Sequence, residues 1–394
     1  MYMPDKVYSY GRQLVEEDDI QAVVGVLRSD WLTQGPAAGE FERRLAERLG
    51  APHCSVTSSG TASLHLIALG LGWGPGDVII TSPITFVATS NCVIYAGATP
   101  DFADIDPLNY TLDPVKVEER ILFHQSRGRK VKGVIGVDFA GNPCDWDGLA
   151  RLAKRYNVQL VDDHCHAMGA VYRGDQHFAV NHADAVSTSF HPVKHITTGE
   201  GGAVLTRHKW LNEKIKALRT HGIINDPLLL SKNDAPWYYE MVELGFNYRM
   251  TDFQCALGIS QLAKLDGFLQ RRRMIAGMYD REFRDDDRFT IPATTPNSLH
   301  AYHLYPLQIE FSKLDGSRTE LFNRLSQKRI HCQVHYIPVY RHPYYAKRYG
   351  LAPAAFPEAE SYYSGCLSLP FYPALTDEDV ERVVTTVTQA VTAR

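Results

Sequence analysis

The stretch "ADAVSTSFHPVKHITTGEGGAVLTR" (Ala183–Arg207) holds two short apolar runs with a single lysine, Lys194, between them. The runs Ala183–Phe190 and Gly201–Arg207 are too short for helices and are bounded by Asp, Gly or Pro, so both read as strands. The pattern recurs upstream in "DVIITSP" (Asp77–Pro83), "VKGVIGVDFAG" (Val131–Gly141) and "VQLVDDHCHA" (Val158–Ala167). Helical stretches separate several of these runs. Leu64, Ile67, Ala68 and Leu71 recur at helical spacing and predict one apolar helix face. Strands interleaved with helices argue an α/β fold, with a mostly parallel central sheet covered by helices on both faces.

Beyond Met250 the pattern changes. Phe253–Tyr279 reads as one long helix, Tyr302–Phe311 as a strand and Arg318–Lys328 as a helix. Near the end, Thr376 and Asp379 form a capping box, and Val380, Val383, Val384 and Val387 supply a buried stripe. The expected division is a large domain over 1–249 and a smaller α+β domain over 250–394, with the N-terminal segment packing on the smaller one.

A chain of 394 residues suits two such bodies. With 44% hydrophobic and 22% charged residues it has globular composition, and its formal net charge of −4 offers no basic excess for nucleic acid or an anionic membrane surface. The polar start "MYMPDKVYSYGRQL" has no apolar signal-peptide core, and no apolar run is long enough for a spanning helix. The 7 cysteines are scattered, odd in number and never spaced CxxC, which fits a reducing cytoplasm better than a disulfide framework or a zinc site.

Four motifs could carry chemistry. In "TSSGTASLH" (Thr57–His65), Ser58, Ser59, Gly60 and Thr61 precede the amphipathic helix, and free N–H groups at its start can cradle a phosphate; the plainer reading is a helix cap. In "VDDHCHAMGA" (Val161–Ala170), carboxylates end a strand, where open parallel sheets bind ligands. Asp162, Asp163, His164 and His166 also suggest a metal, but strand alternation puts Asp163 opposite the other three. In "SPITFVATSN" (Ser82–Asn91), Phe86 is either a core aromatic or a ring that stacks on a heteroaromatic ligand. Lys194 follows a strand, so it also falls at the sheet's carboxyl edge, among small residues and glycines. Burial would disfavour its ammonium form, as a nucleophilic amine requires; the alternative is an ordinary surface lysine. Phosphate cradle, stacking aromatic, strand-end Asp and lysine, in that chain order, are the parts that hold pyridoxal phosphate (PLP).

The chain resembles the DegT/DnrJ/EryC/StrS sugar aminotransferases of the fold type I PLP superfamily, nearly end to end. The likeness runs through "DWLTQGP" (Asp30–Pro36), the four motifs above, "GFNYRMTDFQCALGISQL" (Gly245–Leu262), "VHYIPVYRHPYY" (Val334–Tyr345) and "LSLPFYP" (Leu367–Pro373). The N-terminal segment and the lysine segment are most similar to the pseudaminic-acid branch. The resemblance implies that Lys194 joins PLP covalently, Asp163 pairs with its pyridine nitrogen, Phe86 stacks on its ring and His166 lies near its 3-hydroxyl. It implies Gly60, Thr61, Ala62 and Ser189 on the phosphate. Asn247 would reach the phosphate in a neighbouring subunit, with Tyr248 and Arg249 near that subunit's cofactor or sugar-nucleotide phosphates, in a homodimer with shared sites. The implied reaction moves an amino group from L-glutamate to C4 of a UDP-linked 4-keto-6-deoxy-N-acetylhexosamine. Another UDP- or dTDP-4-keto-6-deoxyhexose is the nearest rival, and a metal-dependent hydrolase is the rival of another class. Relatives that deoxygenate carry His in place of the lysine, so Lys194 argues against that chemistry. His164-Cys165 departs from the small residues usual at those positions.

Overall fold

A computed structural model describes residues 6–232 and 235–391. The central sheet has seven strands: β2 (His53–Thr57), β3 (Asp77–Thr81), β4 (Thr99–Phe102), β5 (Lys130–Val137), β6 (Gln159–Asp163), β7 (Ala185–Ser189) and β8 (Gly202–Thr206). Their spatial order is β2-β8-β7-β6-β5-β3-β4, and β8 alone runs against its neighbours. This is the expected α/β architecture, with a mostly parallel sheet.

Both faces of the sheet are covered, and strand alternation divides the side chains between two cores. Val78, Val134, Leu160 and Val186 join one cluster; Ile79, Ile135, Val161 and Ala185 join the other. The second cluster includes α3 (Gly60–Gly70) and α4 (Ala88–Tyr95). By the same parity Asp163, Ser187 and Ser189 face α3, whereas Asp162 faces away.

Several elements differ from the sequence expectation. α3 does not present one apolar face: Leu64, His65, Leu66, Ile67 and Ala68 are all buried, because the helix lies on β7 and β8 beneath α4 and the helix Lys209–Arg219. The strand expected to reach Gly141 ends at Val137. Phe139–Gly141 forms a turn in which Ala140 takes φ 57° and Gly141 takes φ 99°. A Cβ on Gly141 would meet Tyr302 N at 2.7 Å and His166 O at 2.8 Å, so that position needs glycine. The long helix breaks at Lys264 into Asp252–Ala263 and Leu265–Phe283. Lys264 caps both helices at φ −97°, ψ −4°, and its ammonium is held by Asp18 (2.8 Å) and Asp19 (2.6 Å) of α1 (Glu17–Leu27). The strand expected from Tyr302 spans only Pro306–Ile309, because Tyr302 takes φ 52° and His303 N–H bonds Ala140 O instead (2.7 Å).

The C-terminal body has its own core around an antiparallel sheet of Phe289–Thr290, Pro306–Ile309 and Cys366–Ser368. Thr376 and Asp379 form the capping box, and Val380, Val383, Val384 and Val387 are buried, as expected. β1 (Tyr8–Ser9) pairs with Ile330–His331, so the N-terminal segment does pack on this body. Met250, Cys255, Leu265 and Leu269 belong to the core of the large sheet, and from Ile275 onward the same helices feed the C-terminal core.

Candidate active site

Asp163 ends β6 on the face shared with α3 and is buried. Its Oδ2 accepts from Thr89 Oγ1 at 2.7 Å, and its Oδ1 accepts from Cys165 N–H at 3.3 Å. Thr89 Oγ1 also lies 2.7 Å from Thr85 Oγ1. Two donors fix the orientation of the carboxylate.

Lys194 is five residues beyond β7, in a turn closed by its own N–H to His191 O (2.8 Å). The side chain is half-buried, and among the described residues no acceptor lies in reach of Nζ. Desolvation lowers its pKa, outweighing the opposing effects of Cys165 and Asp163. A desolvated, unpaired amine beside the strand-end carboxylate is the arrangement a nucleophilic lysine requires.

The buried α3 points its N-terminus at the same place. Ser59 caps the helix through Ala62 N–H (3.1 Å). That spends the Ala62 amide, one of the expected phosphate donors, and leaves Gly60 and Thr61 as first-turn N–H groups without helical partners. A Cβ on Gly60 would lie 2.8 Å from Ser189 Cβ and 3.4 Å from Cys165 Sγ. Gly60 therefore keeps open a small cradle between the helix start and the end of β7, where an anion meets the helix dipole. Phe86 stands at the rim, 57% exposed, so it is no core aromatic.

His166 is where alternation failed. β6 ends at Asp163, and a turn closed by Ala167 N–H to His164 O (3.0 Å) swings His166 to the cofactor side. There its Nδ1 accepts from Ala140 N–H (3.3 Å), and its Nε2 lies 3.2 Å from Tyr336 Oη. Burial first, then the Lys194 charge, holds it neutral by lowering its pKa well below the usual value.

The four-residue metal cluster separates. Asp162 and His164 lie behind the sheet with Asp138, whereas Asp163 and His166 lie in front. His164 Nδ1 bonds Asp138 Oδ2 at 2.9 Å and lies 3.3 Å from Asp162 Oδ2. Burial opposes its charge, but the two carboxylates outweigh this and bring its pKa up to about 10. The imidazole ring thus occupies the centre of that cluster.

Asn247, Tyr248 and Arg249 do not enter this chain's own cleft. Asn247 is exposed and bridges Thr220 through its backbone. Tyr248 is turned onto its own α3: its Oη lies 3.2 Å from His65 Nδ1, and its carbonyl accepts Ser58 N–H (2.8 Å). Arg249 makes no ion pair among the described residues. Thr89, Asp138 and Tyr336 were missed from sequence. Thr89 lies one helical turn after Phe86, and Tyr336 lies in "VHYIPVYRHPYY"; those spacings were the available signals.

The residues fit PLP. Gly60, Thr61 and Ser189 can hold a phosphate, Asp163 can meet a pyridinium nitrogen, Phe86 can cover a ring and Lys194 supplies the amine. On this sheet, that constellation defines a fold type I PLP-dependent transferase. The chain belongs to the DegT/DnrJ/EryC1/StrS aminotransferase family, whose profile matches residues 13–388. It is 38% identical over 375 residues to the UDP-4-amino-4,6-dideoxy-N-acetyl-beta-L-altrosamine transaminase of Campylobacter jejuni serotype O:2, covering 95% of each chain. It is equally 38% identical to the spore coat polysaccharide biosynthesis protein SpsC of Bacillus subtilis, covering 95% of each. Among solved structures it superposes on Helicobacter pylori PseC, an aminotransferase involved in the biosynthesis of pseudoaminic acid, with TM-score 0.87, 32% identity and coverage of 98% and 99%. It also superposes on the PLP form of the putative sugar aminotransferase Spr1654 of Streptococcus pneumoniae, with TM-score 0.86, 29% identity and 98% coverage of both chains. The protein is a PLP-dependent sugar aminotransferase. No helix among the described residues is long and apolar enough to cross a membrane.

Proposed function

We propose that the protein moves the amino group of L-glutamate to C4 of a UDP-linked 4-keto-6-deoxy-N-acetylhexosamine, giving UDP-4-amino-4,6-dideoxy-N-acetyl-β-L-altrosamine on the route to pseudaminic acid. One observation carries the reaction type: an unpaired, desolvated Lys194 amine beside the Thr89-held Asp163 carboxyl group at the sheet's carboxyl edge. The sugar rests on the 38% identity to the C. jejuni transaminase and on the likeness to PseC.

PLP, when bound, supplies a protonated ring that absorbs electrons from a carbanion. Asp163 keeps the ring nitrogen protonated, held in aim by Thr89. Lys194 would be the residue that holds PLP covalently, and its free amine would be the base that takes the proton from the donor's α-carbon. Gly60, Thr61 and Ser189 hold the phosphate, and Phe86 covers one ring face. Positioned proton transfer of this kind contributes about 10²–10⁴-fold.

The functional unit in this reading is a homodimer with shared sites. Exposed Leu228, Trp237, Tyr239, Met241 and Leu244 flank exposed Asn247 and would be covered by a second copy, bringing Asn247 to the neighbouring phosphate. Tyr248 and Arg249 would then lie beside the sugar nucleotide's phosphates. All seven cysteines are free, which suits a cytoplasmic setting.

The test is the visible absorption of the PLP-loaded protein. L-glutamate should abolish the band, and the UDP-linked 4-keto sugar should restore it. Restoration only by a dTDP-linked hexose would replace the proposed substrate; no response to glutamate would remove the donor.

A further inference from the structure

Tyr336 enters the cleft from the C-terminal body, on a segment that is firmly held. Its neighbour His335 bonds Ser368 Oγ through Nδ1 (2.9 Å), and the His335 carbonyl accepts Tyr362 Oη–H (2.5 Å). The Tyr336 ring lies 6.3 Å from that of Phe86, and 6.1 Å from His166 at an interplanar angle of 23°.

Proton accounting at His166 assigns the direction of the bond between the two. Ala140 N–H donates to His166 Nδ1, so that nitrogen carries no proton. The ring proton of the neutral imidazole is then on Nε2, which donates to Tyr336 Oη at 3.2 Å. Tyr336 is the acceptor in this contact, and its own O–H has no acceptor among the described residues. Burial, followed by the Asp163 charge, raises the Tyr336 pKa, so the group stays a phenol. A half-buried phenol with its oxygen occupied and its hydrogen unassigned, near Asp163, is an oriented donor awaiting a ligand.

We propose that Tyr336 donates its O–H to an oxygen acceptor bound in this cleft, either the phenolic oxygen of PLP or an oxygen of the substrate, and that His166 is the positioning residue that aims it. The inference rests on reading the cleft as the transamination site. In this arrangement His166 acts on the bound oxygen through Tyr336.

The experiment uses the full-length, PLP-loaded protein and Tyr336→Phe. If PLP's oxygen is the acceptor, the pH midpoint of the visible band moves up by about one unit, because the anionic oxygen loses a donor. If the substrate is the acceptor, the glutamate half-reaction is unchanged and KM for the UDP-linked 4-keto sugar rises about tenfold. A folded Tyr336→Phe protein with an unmoved midpoint and an unmoved KM overturns the proposal. A second measurement needs no variant: ¹⁵N NMR of histidine-labelled protein at pH 7 should find His166 protonated on Nε2 alone. A proton on Nδ1 overturns the proposal even if turnover is normal. Absence of any glutamate response would instead remove the transamination reading and leave the NMR result to decide the tautomer.

Discussion

At the residue scale, the proposed reaction assigns two groups different parts. Lys194→Ala should still bind PLP through Gly60, Thr61, Ser189 and Asp163, but lose its base. We expect turnover to fall by about 10²–10⁴-fold or more with cofactor retained, checked by steady-state rate and cofactor content. Wild-type turnover would end the assignment. Asp163→Asn keeps a hydrogen bond to Thr89 but can no longer hold the ring nitrogen as a cation. A charge-assisted bond is worth about 1.5–3 kcal/mol, so the rate should drop by about 10- to 100-fold with an unchanged melting temperature.

At the element scale, the site depends on α3 being buried on all sides. A surface helix could shift its first turn by tilting; this one is clamped by β7, β8 and α4. Gly60→Ala places a Cβ 2.8 Å from Ser189 Cβ at the mouth of the cradle. We expect a loss of at least about tenfold in PLP affinity by fluorescence titration, with much smaller effects from an alanine at exposed Gly267, whose Cβ would meet nothing within 4 Å. Equal losses at both positions would show that the cradle is not where the phosphate binds.

At the scale of the whole molecule, titration of the buried histidines sets the pH range of stability. His300 and His335 are pushed down to about 3, chiefly by burial, and His166, His195 and His303 are lowered as well. A histidine kept neutral in the fold takes up a proton on unfolding once the pH drops below the unfolded value. Stability therefore falls as the medium is acidified from about pH 7, by about 2 kcal/mol per strongly lowered histidine at pH 5. His164 has the opposite sign: its contribution is full below the ordinary histidine value and is lost as pH rises through about 10. Melting temperature against pH should thus fall on both sides of neutrality, and a flat acid limb would contradict the buried neutral histidines. The proposed homodimer makes a separate prediction. Mixing inactive Lys194→Ala subunits with inactive Asn247→Asp subunits should restore activity, because one site of each mixed dimer carries neither substitution. No recovery in verified mixed dimers would mean that the sites are not shared.

Much of this was legible in the sequence because local chemistry imposed it. Short β-branched runs between helical stretches required a two-sided sheet, and strand parity placed Asp163 opposite Asp162 before any contact was known. Lys194 could be singled out because an isolated amine among small residues after a strand has few other uses. Parity stopped being informative where strands stopped. Nothing in "DDHCHA" says that β6 ends at Asp163, so the turn that carries His166 to the front depended on Ala140 and Tyr336, residues 26 and 170 positions away. The separation of Asp162 and His164 toward Asp138 is likewise a contact between adjacent strands. Sequence determined the fold class and the cofactor chemistry, and it nominated the amine and the carboxylate, since these follow from residue type and period. Only the tertiary structure decided which neighbours orient them, because hydrogen-bond partners are chosen by packing across elements that sequence spacing does not encode.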